Sequence, residues 1–488
     1  MSKENIIAIN VDLQETRVAI IENGMIAELL VERIQQKRAV GNIYRGRVTR
    51  VLPGMQAAFV DIGLEKHAFL HASDVVPEKD AVKKNASIKD FLKEGQYLPV
   101  QVSKDMIGTK GCRITSDVSL AGRHLVYMPL SKKGGISRKI EDEKERSRLQ
   151  KVMSRLKTSE GAMIARTAAM GASPDALEAD VNYLVETWQD IIKKHHQKRK
   201  PCLLYEELSL PLKVVRDKFN DSIAQIIVDS SDVYDELRGF IDRLIPRRLD
   251  AVALYSEDEP IFDAFGIESE IKRALERVVE LPSGGSLVID QGEALTAVDV
   301  NTGKFVGKGS KDQEETIFQT NLEAVEEIAY QVRFRNIGGL IVLDLIDMDK
   351  SSNRQKVTNR LKEILKGDRA KTSVNDISRF GLIEMTRERT SESLGRMLHE
   401  PCPYCDGTGS ILSKVTIASE VLREIQRRAD DSAVGSLEAV VHPGVASELR
   451  GPAQRSVKEL SKRIGKKIKI TEDKNGHMES YHVYSRKP

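Results

Sequence analysis

LTAVDVN at residues 295–301 and GGLIVLDLID at residues 338–347 are the two stretches that decide the fold. Each has the apolar content and length of a β-strand, and the segment between them, from about Glu314 to Arg335, has the pattern of a long helix. Such a strand, helix and strand predict a βαβ unit with two parallel strands. We therefore expect an α/β sheet in this half of the chain.

Acidic side chains occur in both strands. Because side chains alternate along a strand, Asp299 and Asn301 point to the same side, and Asp344 lies in the second strand. Ligands of parallel sheets collect at the carboxyl ends of the strands, so the two aspartates are expected to come together. Two carboxylates in one site repel each other, and Mg²⁺, which prefers oxygen ligands, removes that conflict. Such an ion positions and acidifies water, whereas the neutral Asn301 could only orient a water molecule or a phosphate.

A structural role for these aspartates is the alternative. They would then cap turns or pair with one of four nearby arginines: Arg333, Arg335, Arg387 and Arg389. Asp347, on the opposite face of its strand, and Asp290, at the end of a neighbouring strand, could support the metal ligands, but structural roles are expected for both. The residue pattern alone leaves both interpretations of Asp299 and Asp344 open.

Five short strands lie between residues 46 and 115: GRVTRV, MQAAFVDI, KHAFLH, YLPVQVS and KGCRIT. They predict a small barrel of the oligonucleotide-binding kind. Phe59 and Phe69 fall on the more polar faces of their strands, where an aromatic ring can stack on a base. Lys110, in the turn before the last strand, is a candidate phosphate contact. Ordinary packing in the barrel core is the alternative for both phenylalanines.

RTAA at residues 166–169 combines a guanidinium group, a hydroxyl group and backbone amides. Arg166 and Thr167 would therefore suit a phosphate, although a surface ion pair is the simpler interpretation of Arg166. An apolar stripe then predicts a helix over residues 174–194. The helix ends in the basic sequence HHQKRK, which would be an ordinary solvated last turn.

CPYC at residues 402–405 supplies two thiols, which is half of a tetrahedral zinc site. The other ligands would come from Cys112, Cys202, a histidine or a second copy of the chain, and a zinc ion shared between two chains is the simplest of these hypotheses. The same string also occurs in thiol-disulfide enzymes, but that function needs a helix that begins at the first cysteine, and DGTGS starts a helix poorly. A structural role without metal is the third interpretation.

Composition limits the class of protein. The 488 residues carry 76 Lys and Arg against 73 Asp and Glu, so any binding site for a polyanion must come from local clustering of charge. The 40% of apolar residues suffices for three or four domains. No segment approaches the ~20 apolar residues of a membrane helix, and the first residues do not have the pattern of a secretory signal. Four cysteines in a chain of this length fit a reducing compartment, so a cytoplasmic protein is expected.

Taken together, these segments resemble the ribonuclease E/G family over essentially the whole chain. The most specific are GNIYRGRV, AAFVDIG, GTKG, GGISRKIE, RTAA, LPSGGSLVID, LTAVDVNTG, GGLIVLDLIDM, ISRFGLIEMTR and CPYCDGTG. The resemblance implies that Asp299 and Asp344 are Mg²⁺ ligands and that Asn301 is their catalytic companion. It also implies that Cys402 and Cys405 form a zinc link, shared between two chains of an active homodimer that could pair further.

The resemblance implies two further RNA contacts. Phe59, Phe69 and Lys110 would guide single-stranded RNA over the barrel. Arg166 and Thr167 would hold the monophosphate at the 5′ end of the RNA.

The implied architecture is multidomain, with α/β and α+β parts. An S1-type barrel of the oligonucleotide-binding fold (residues 37–127) would be inserted in an RNase H-like subdomain split between residues 1–36 and 212–277. The remaining parts would be a 5′-end sensor region at 128–211, a deoxyribonuclease I-like catalytic domain at 278–398, the zinc link at 399–412 and a small α/β C-terminal domain at 413–488.

The implied activity is Mg²⁺-dependent endonucleolytic hydrolysis of single-stranded, AU-rich RNA, stimulated by a 5′-monophosphate and leaving 5′-phosphate and 3′-hydroxyl ends. Ribosomal RNA precursors and messenger RNA are the implied substrates. The chain ends soon after its C-terminal module, so the shorter members of the family, without a long disordered tail, are the expected match. KFVGKG at residues 304–309 makes a loop that is slightly long for the family. Two alternative functions stay open: a non-catalytic RNA-binding protein and a thiol-disulfide oxidoreductase built on the cysteine pair.

Overall fold

The structure is a computed structural model that describes residues 4–34, 39–76, 87–104, 111–132, 134–156, 161–303, 310–389, 392–429 and 435–486. The chain divides into two units, Met1–Leu394 and Gly395–Pro488. Within the described ranges, none of the helices has the length and hydropathy that a bilayer crossing requires.

The strands, numbered in chain order, are β1 (Asn5–Val11), β2 (Glu15–Glu22), β3 (Met25–Arg33), β4 (Ile43–Leu52), β5 (Ala57–Asp61), β6 (Ala68–His71), β7 (Tyr97–Lys104), β8 (Arg113–Thr115), β9 (Leu120–Ala121), β10 (Leu125–Met128), β11 (Gly135–Ile136), β12 (Ala162–Ala165), β13 (Cys202–Tyr205), β14 (Ile223–Val228), β15 (Val252–Leu254), β16 (Val278–Glu280), β17 (Ser286–Gln291), β18 (Leu295–Asn301), β19 (Gly339–Asp344), β20 (Thr372–Val374), β21 (Leu382–Arg387), β22 (Ser436–Val441), β23 (Lys467–Glu472) and β24 (Tyr481–Arg486). The helices are α1 (Ile88–Phe91), α2 (Glu143–Arg155), α3 (Pro174–Gln197), α4 (Leu210–Lys218), α5 (Ser231–Leu244), α6 (Ile261–Ala264), α7 (Ile267–Leu275), α8 (Ser310–Phe334), α9 (Ser351–Leu365), α10 (Leu394–Leu398), α11 (Lys414–Ala429), α12 (Pro443–Arg450) and α13 (Gln454–Ile464).

The first sheet has the strand order β15-β14-β1-β2-β3. β2 and β3 form an antiparallel hairpin whose turn residues, Asn23 and Gly24, have φ values of 54° and 81°. β14 pairs in parallel with β1. The sheet therefore joins the beginning of the chain to strands that follow the barrel in sequence.

The predicted five-stranded barrel is confirmed. Its strands follow the order β4-β5-β6-β8-β7, and β7 pairs back with β4 to close the sheet. The interior is filled by fully buried side chains, among them Val60, Leu70, Val100 and Ile114. β13 pairs antiparallel with the first residues of β4.

A four-stranded sheet of order β11-β12-β10-β9 packs with α3, which confirms the predicted helix. The apolar stripe of α3 is buried as the spacing predicts: Leu177, Val181, Leu184, Trp188 and Ile191. Asp180, which is 2% exposed, accepts hydrogen bonds from the backbone N–H groups of Arg123, His124 and Leu125. The helix thereby fixes the loop that leads into β10.

The sheet that contains the two deciding stretches has the order β16-β17-β18-β19-β21-β20. β18 and β19 are parallel and α8 connects them, so the predicted βαβ unit is confirmed. Their buried side chains pack with α8 and α9, while the alternate residues of β18 are exposed. This leaves one face of the sheet open.

The apolar spacing of Ile267, Ile271, Leu275 and Val278 predicts that α7 continues to Val278, and this prediction is wrong. The helix ends at Leu275, and Val278 begins β16, where it pairs with Val288 of β17 and is 44% exposed. Pairing with a neighbouring strand outweighs the helical spacing at this point.

The second unit contains a three-stranded sheet of order β23-β22-β24, with α11, α12 and α13 packed on one face. The sequence predicts helix, strand, helix and strand here. The structure has one helix and one strand more. The second predicted helix is divided at residues 451–453, and two strands, β23 and β24, follow it instead of one.

Candidate functional site

Asp299 and Asp344 lie side by side at the carboxyl ends of two parallel strands. They are direct partners in the register of β18 and β19, and adjacent strands are about 4.8 Å apart. Both side chains are exposed, on the face of the sheet that the helices leave open. Asn301 lies on the same face, and its Nδ2 donates a hydrogen bond of 2.9 Å to Oδ2 of Asp299.

The four arginines considered as partners of these carboxylates bind other groups. Arg387 forms a buried ion pair with Asp368, with an Nε to Oδ2 distance of 2.7 Å. Arg333 pairs with Glu22, Arg335 donates to Gln331, and Arg389 donates to the Gly338 carbonyl oxygen. In the part of the chain that the structure describes, the carboxylate of Asp344 has no hydrogen bond or ion pair. The structural interpretation by arginine pairing is therefore wrong.

The donor set fits Mg²⁺ better than a softer metal. It consists of two carboxylates open to solvent, and Mg²⁺ is usually bound by one or two carboxylates while it keeps several waters. The described ranges contain no group of three or more His, Cys, Asp or Glu side chains placed to hold a metal, so a caged transition-metal site is not found there. Asp290, the other carboxylate considered on this face, pairs with Arg277 at 2.5 Å and has the structural role expected of it.

Two buried side chains fix the segment that follows Asp344. The amide of Asn321 on α8 donates to the Ile346 carbonyl oxygen at 2.8 Å and accepts from its N–H at 3.1 Å. Glu314 accepts hydrogen bonds from the backbone N–H groups of Asp349 and Lys350. Burial alone would raise the pKa of Glu314, but these hydrogen bonds outweigh it and lower the pKa. The carboxyl end of β19 is thus held by α8.

The backbone after Asn301 makes a close approach that requires glycine. Gly303 has φ +60°, and a Cβ atom there would lie 2.1 Å from the Gly284 carbonyl oxygen. This contact sets the direction of the chain as it leaves β18. Residues 304–309, the loop that looked long, lie outside the described residues.

The loop before β21 has no role predicted from the sequence, but it lies close to the two aspartates along the sheet. β21 is antiparallel to β19, and its first residue, Leu382, is the register partner of Asp344. A cavity of about 400 Å³ beside this end of β19 is lined by Asp347, Ser378 and Arg379 among others. Phe380 is 73% exposed, and the Arg379 guanidinium lies 4.9 Å from its ring centroid. The signal was an arginine and an aromatic residue directly before a turn glycine in ISRFG.

Phe59 and Phe69 lie together on the outer surface of the barrel. They are register partners on β5 and β6, and their ring centroids are 6.2 Å apart in an edge-to-face arrangement. Both are half-buried, whereas Val60 and Leu70 on the opposite faces are fully buried, so the core interpretation is wrong. Arg113 is the register partner of Phe69 on the next strand. Lys110 lies outside the described residues.

Arg166 and Thr167 follow β12. Arg166 forms an ion pair with Asp217 at 2.7 Å and also donates to the Gly122 carbonyl oxygen. The ion pair that is the simpler interpretation of Arg166 is therefore present. Burial would raise the pKa of Asp217, but Arg216 and Arg166 outweigh it and lower the pKa. Thr167 is exposed at the start of a 3-10 turn. The two residues are adjacent, and whether they hold a phosphate stays a prediction.

Cys402 and Cys405 lie in a turn before α11. Cys402 is exposed and Cys405 is half-buried. The Gly409 N–H donates to Sγ of Cys405 at 3.3 Å, and this hydrogen bond is the main cause that lowers the pKa of Cys405 and favours its thiolate. Cys112 is buried in the barrel core and Cys202 is half-buried on β13.

The backbone of this turn argues against the thiol-disulfide hypothesis. Asp406, Gly407 and Gly409 have φ values of 48°, 81° and 74°, which no helix accommodates. The next helix, α11, begins only at Lys414. A cysteine at a helix N-terminus, which that chemistry requires, is not found at Cys402.

Three family models match the chain. The ribonuclease E/G family matches residues 119–390, the S1 RNA binding domain matches residues 37–104, and the RNase E/G, thioredoxin-like domain matches residues 401–486. The S1 match falls on the barrel, and the first match includes both aspartates of the open sheet face.

Curated relatives match over nearly the whole chain. Ribonuclease G of Escherichia coli (strain K12) is 45% identical over 471 residues, which covers 95% of this chain and 96% of the relative. Ribonuclease G of Haemophilus influenzae is 41% identical and covers 97% of this chain and 98% of the relative. Ribonuclease E of Escherichia coli (strain K12) is 38% identical, but its match covers only 45% of that longer protein.

Proposed function

This chain belongs to the ribonuclease E/G family and is an endoribonuclease, and from that premise we propose that it cuts RNA with a Mg²⁺ ion held by Asp299 and Asp344. The observation that carries the proposal is the register pairing of these two exposed carboxylates, neither of which has a cationic side chain as its partner among the described residues. A bound Mg²⁺ ion would supply stabilisation of charge on a phosphate oxygen and a water molecule of lowered pKa.

The protein itself contributes orientation. The Asn301 amide, which donates to Asp299, fixes the direction of that carboxylate and is near enough to orient a water molecule or the scissile phosphate. Asn321 and Glu314 hold the segment after Asp344 in place from α8. Exposure of the whole face lets a polymeric substrate reach the carboxylates. Hydrolysis would leave a 5′-phosphate and a 3′-hydroxyl.

We propose single-stranded, AU-rich RNA as the substrate, with ribosomal RNA precursors and messenger RNA as its natural sources. Support comes from the S1 match and from the paired rings of Phe59 and Phe69 on the outer surface of the barrel. Lys110 would add a phosphate contact. Arg166 and Thr167 would bind a 5′-monophosphate, because a guanidinium group and an exposed hydroxyl lie on adjacent residues there.

For the assembly, we propose a homodimer in which Cys402 and Cys405 of each chain share one zinc ion. Two thiols are half of the ligands that zinc needs, and the described residues of one chain offer no third or fourth. We also propose domain boundaries for the chain: an RNase H-like subdomain at 1–36 and 212–277, a sensor region at 128–211, a deoxyribonuclease I-like domain at 278–398, the zinc link at 399–412 and a C-terminal domain at 413–488.

Cleavage of three otherwise identical oligoribonucleotides tests the proposed function. They carry a 5′-monophosphate, a 5′-triphosphate or a 5′-hydroxyl. We expect Mg²⁺-dependent internal cleavage that is fastest with the monophosphate. The Arg166→Gln variant should lose that preference and still cut the 5′-hydroxyl substrate at the wild-type rate, because the phosphate contact is not used there. Cleavage in excess EDTA would contradict the metal proposal, and an unchanged preference in Arg166→Gln would contradict the end-binding role.

Removing one ring from the barrel surface should weaken RNA binding. We expect Phe59→Ala to raise the Kd for a short single-stranded oligonucleotide about tenfold, because stacking of one base is worth about 1–3 kcal/mol. Fluorescence anisotropy without added Mg²⁺, where cleavage is suppressed and zinc is retained, measures the Kd. Phe59→Tyr keeps the ring and should bind as the wild type does. Equal affinity of the alanine variant would exclude Phe59 as a stacking platform.

A further inference from the structure

The C-terminal sheet has a second face that the helices of its unit do not cover. On β22, Leu437, Ala439 and Val441 are buried against α11 and α12. Because side chains alternate along a strand, Ser436 and Glu438 point to the opposite side. Among residues 395–429 and 435–486, all three helices that pack on the sheet belong to the buried face.

The register of the outer strands shows what else lies on this open face. On β23, Lys467 and Lys469 pair with Ser436 and Glu438. On β24, the same two residues of β22 pair with Arg486 and Tyr484, and His482 follows on the same side. Each of these five side chains is exposed. We call this set, Lys467, Lys469, His482, Tyr484 and Arg486, the basic–aromatic face.

A buried carboxylate positions two of the cations. Glu438 is 4% exposed and accepts hydrogen bonds from Thr471 at 2.6 Å and from Nε of Arg486 at 2.7 Å, and it lies 3.0 Å from Nζ of Lys469. Hydrogen bonds from Thr471, Lys469 and Arg486 lower the pKa of Glu438 to about 2, so it stays ionised. Lys469 and Arg486 are still 69% and 63% exposed, so most of each side chain faces solvent. The face carries three cations, Lys467, Lys469 and Arg486, against the one carboxylate of Glu438, so its net charge is positive, although the chain as a whole is nearly neutral.

Two rings lie beside these cations. The centroids of His482 and Tyr484 are 6.1 Å apart, with 36° between the ring planes. Tyr484 is 52% exposed, so about half of its surface is open to a ligand. Exposed rings next to cations on a flat sheet are the features by which proteins bind unpaired bases and their phosphates.

We propose that the basic–aromatic face binds single-stranded RNA, with Tyr484 and His482 stacking on bases and Lys467, Lys469 and Arg486 contacting phosphates. The inference rests on the proposed RNA substrate and adds a binding surface in the C-terminal unit to the one on the barrel. The favoured occupant is RNA rather than a second copy of the chain, because the face carries net positive charge and would repel itself.

Photocrosslinking of the full-length protein tests the proposal. A 4-thiouridine oligonucleotide is bound without added Mg²⁺, so that zinc is retained, and irradiated, and the crosslinked peptides are identified by mass spectrometry. We expect crosslinks to residues 481–486 as well as to the barrel. Tyr484→Ala should abolish the crosslinks to residues 481–486. It should also raise the Kd about tenfold for an oligonucleotide long enough to reach both surfaces. Tyr484→Phe should change neither the crosslinks nor the Kd.

Charge reversal gives a matched comparison. The double variant Lys467→Glu and Lys469→Glu should lower the slope of log Kd against log salt concentration by about 1.4, which is about 0.7 for each lost phosphate contact. Lys458→Glu with Lys462→Glu, the same change on exposed residues of α13, should leave it unaltered. Crosslinks confined to the barrel, or equal effects of the two double variants, would overturn the proposal. The proposal would also be overturned if the lysine double variant sediments differently from the wild type but binds RNA with the same affinity, because the face would then bind a second copy of the chain. Cleavage of a short oligonucleotide is measured in parallel, and its absence would count against the nuclease proposal without deciding this one.

Discussion

Replacing Asp344 by asparagine is expected to slow RNA cleavage by about a thousandfold. Losing a carboxylate that holds the proposed Mg²⁺ ion would remove several kcal/mol of transition-state stabilisation, and about 1.4 kcal/mol corresponds to a factor of ten. The substitution keeps the shape of the side chain. Asp344 is exposed and forms no hydrogen bond or ion pair within the described ranges, so folding should not change. Single-turnover cleavage of a labelled oligoribonucleotide in Mg²⁺ measures the rate, and the Kd without added Mg²⁺ should stay at the wild-type value.

Asp290→Asn is the matched control for this prediction. Asp290 lies on the same open face but pairs with Arg277, and it is the register partner of Ala297, two residues before Asp299. The pair is well exposed, so its loss should cost little stability. Asp290→Asn should cut RNA within about twofold of the wild-type rate. Equal losses in both variants, or normal cleavage by Asp344→Asn, would contradict a metal site at Asp299 and Asp344.

Replacing Cys402 by serine is expected to remove the proposed zinc ion and convert the proposed homodimer to monomers. The wild-type protein should contain about half a zinc ion per chain, because four thiolates from two chains complete one tetrahedral site. The metal needs deprotonated thiols, and the lowered pKa of Cys405 favours that form. Native mass spectrometry reports both the assembly and its metal content. The same loss should follow from treatment of the wild type with a strong chelator.

Cys202→Ser is the control for the zinc prediction. Cys202 is a free, half-buried thiol on β13, so its replacement should leave zinc content and assembly unchanged. A dimer that persists in Cys402→Ser would refute the shared zinc ion. A metal-free wild type with a reducible bond between Cys402 and Cys405 would instead favour the thiol-disulfide alternative.

Local patterns were enough to predict the elements that carry the aspartates. β18 and β19 are short apolar runs separated by a helix of regular spacing, and that order fixes parallel pairing. The pairing places Asp299 beside Asp344 without any knowledge of distant residues. The alternating faces of β5 and β6 likewise gave the outward positions of Phe59 and Phe69.

Contacts between distant parts of the chain could not be predicted in the same way. The partner of Arg166 is Asp217, on the far side of α3 in sequence, and no local pattern indicates it. The loop at residues 378–381 reaches the end of β19 only because β21 pairs antiparallel with that strand. The basic–aromatic face depends on the two strands that follow α13, β23 and β24, whereas the sequence predicts a single strand there.

The most direct test of the central claim is a crystal structure of the protein with Mn²⁺ in place of Mg²⁺, in which the metal is located by its anomalous scattering. We predict one Mn²⁺ ion about 2.2 Å from a carboxylate oxygen of Asp299 and from one of Asp344, with water completing its octahedron. An ion bound elsewhere, or carboxylate oxygens too far apart to share one ion, would contradict the account.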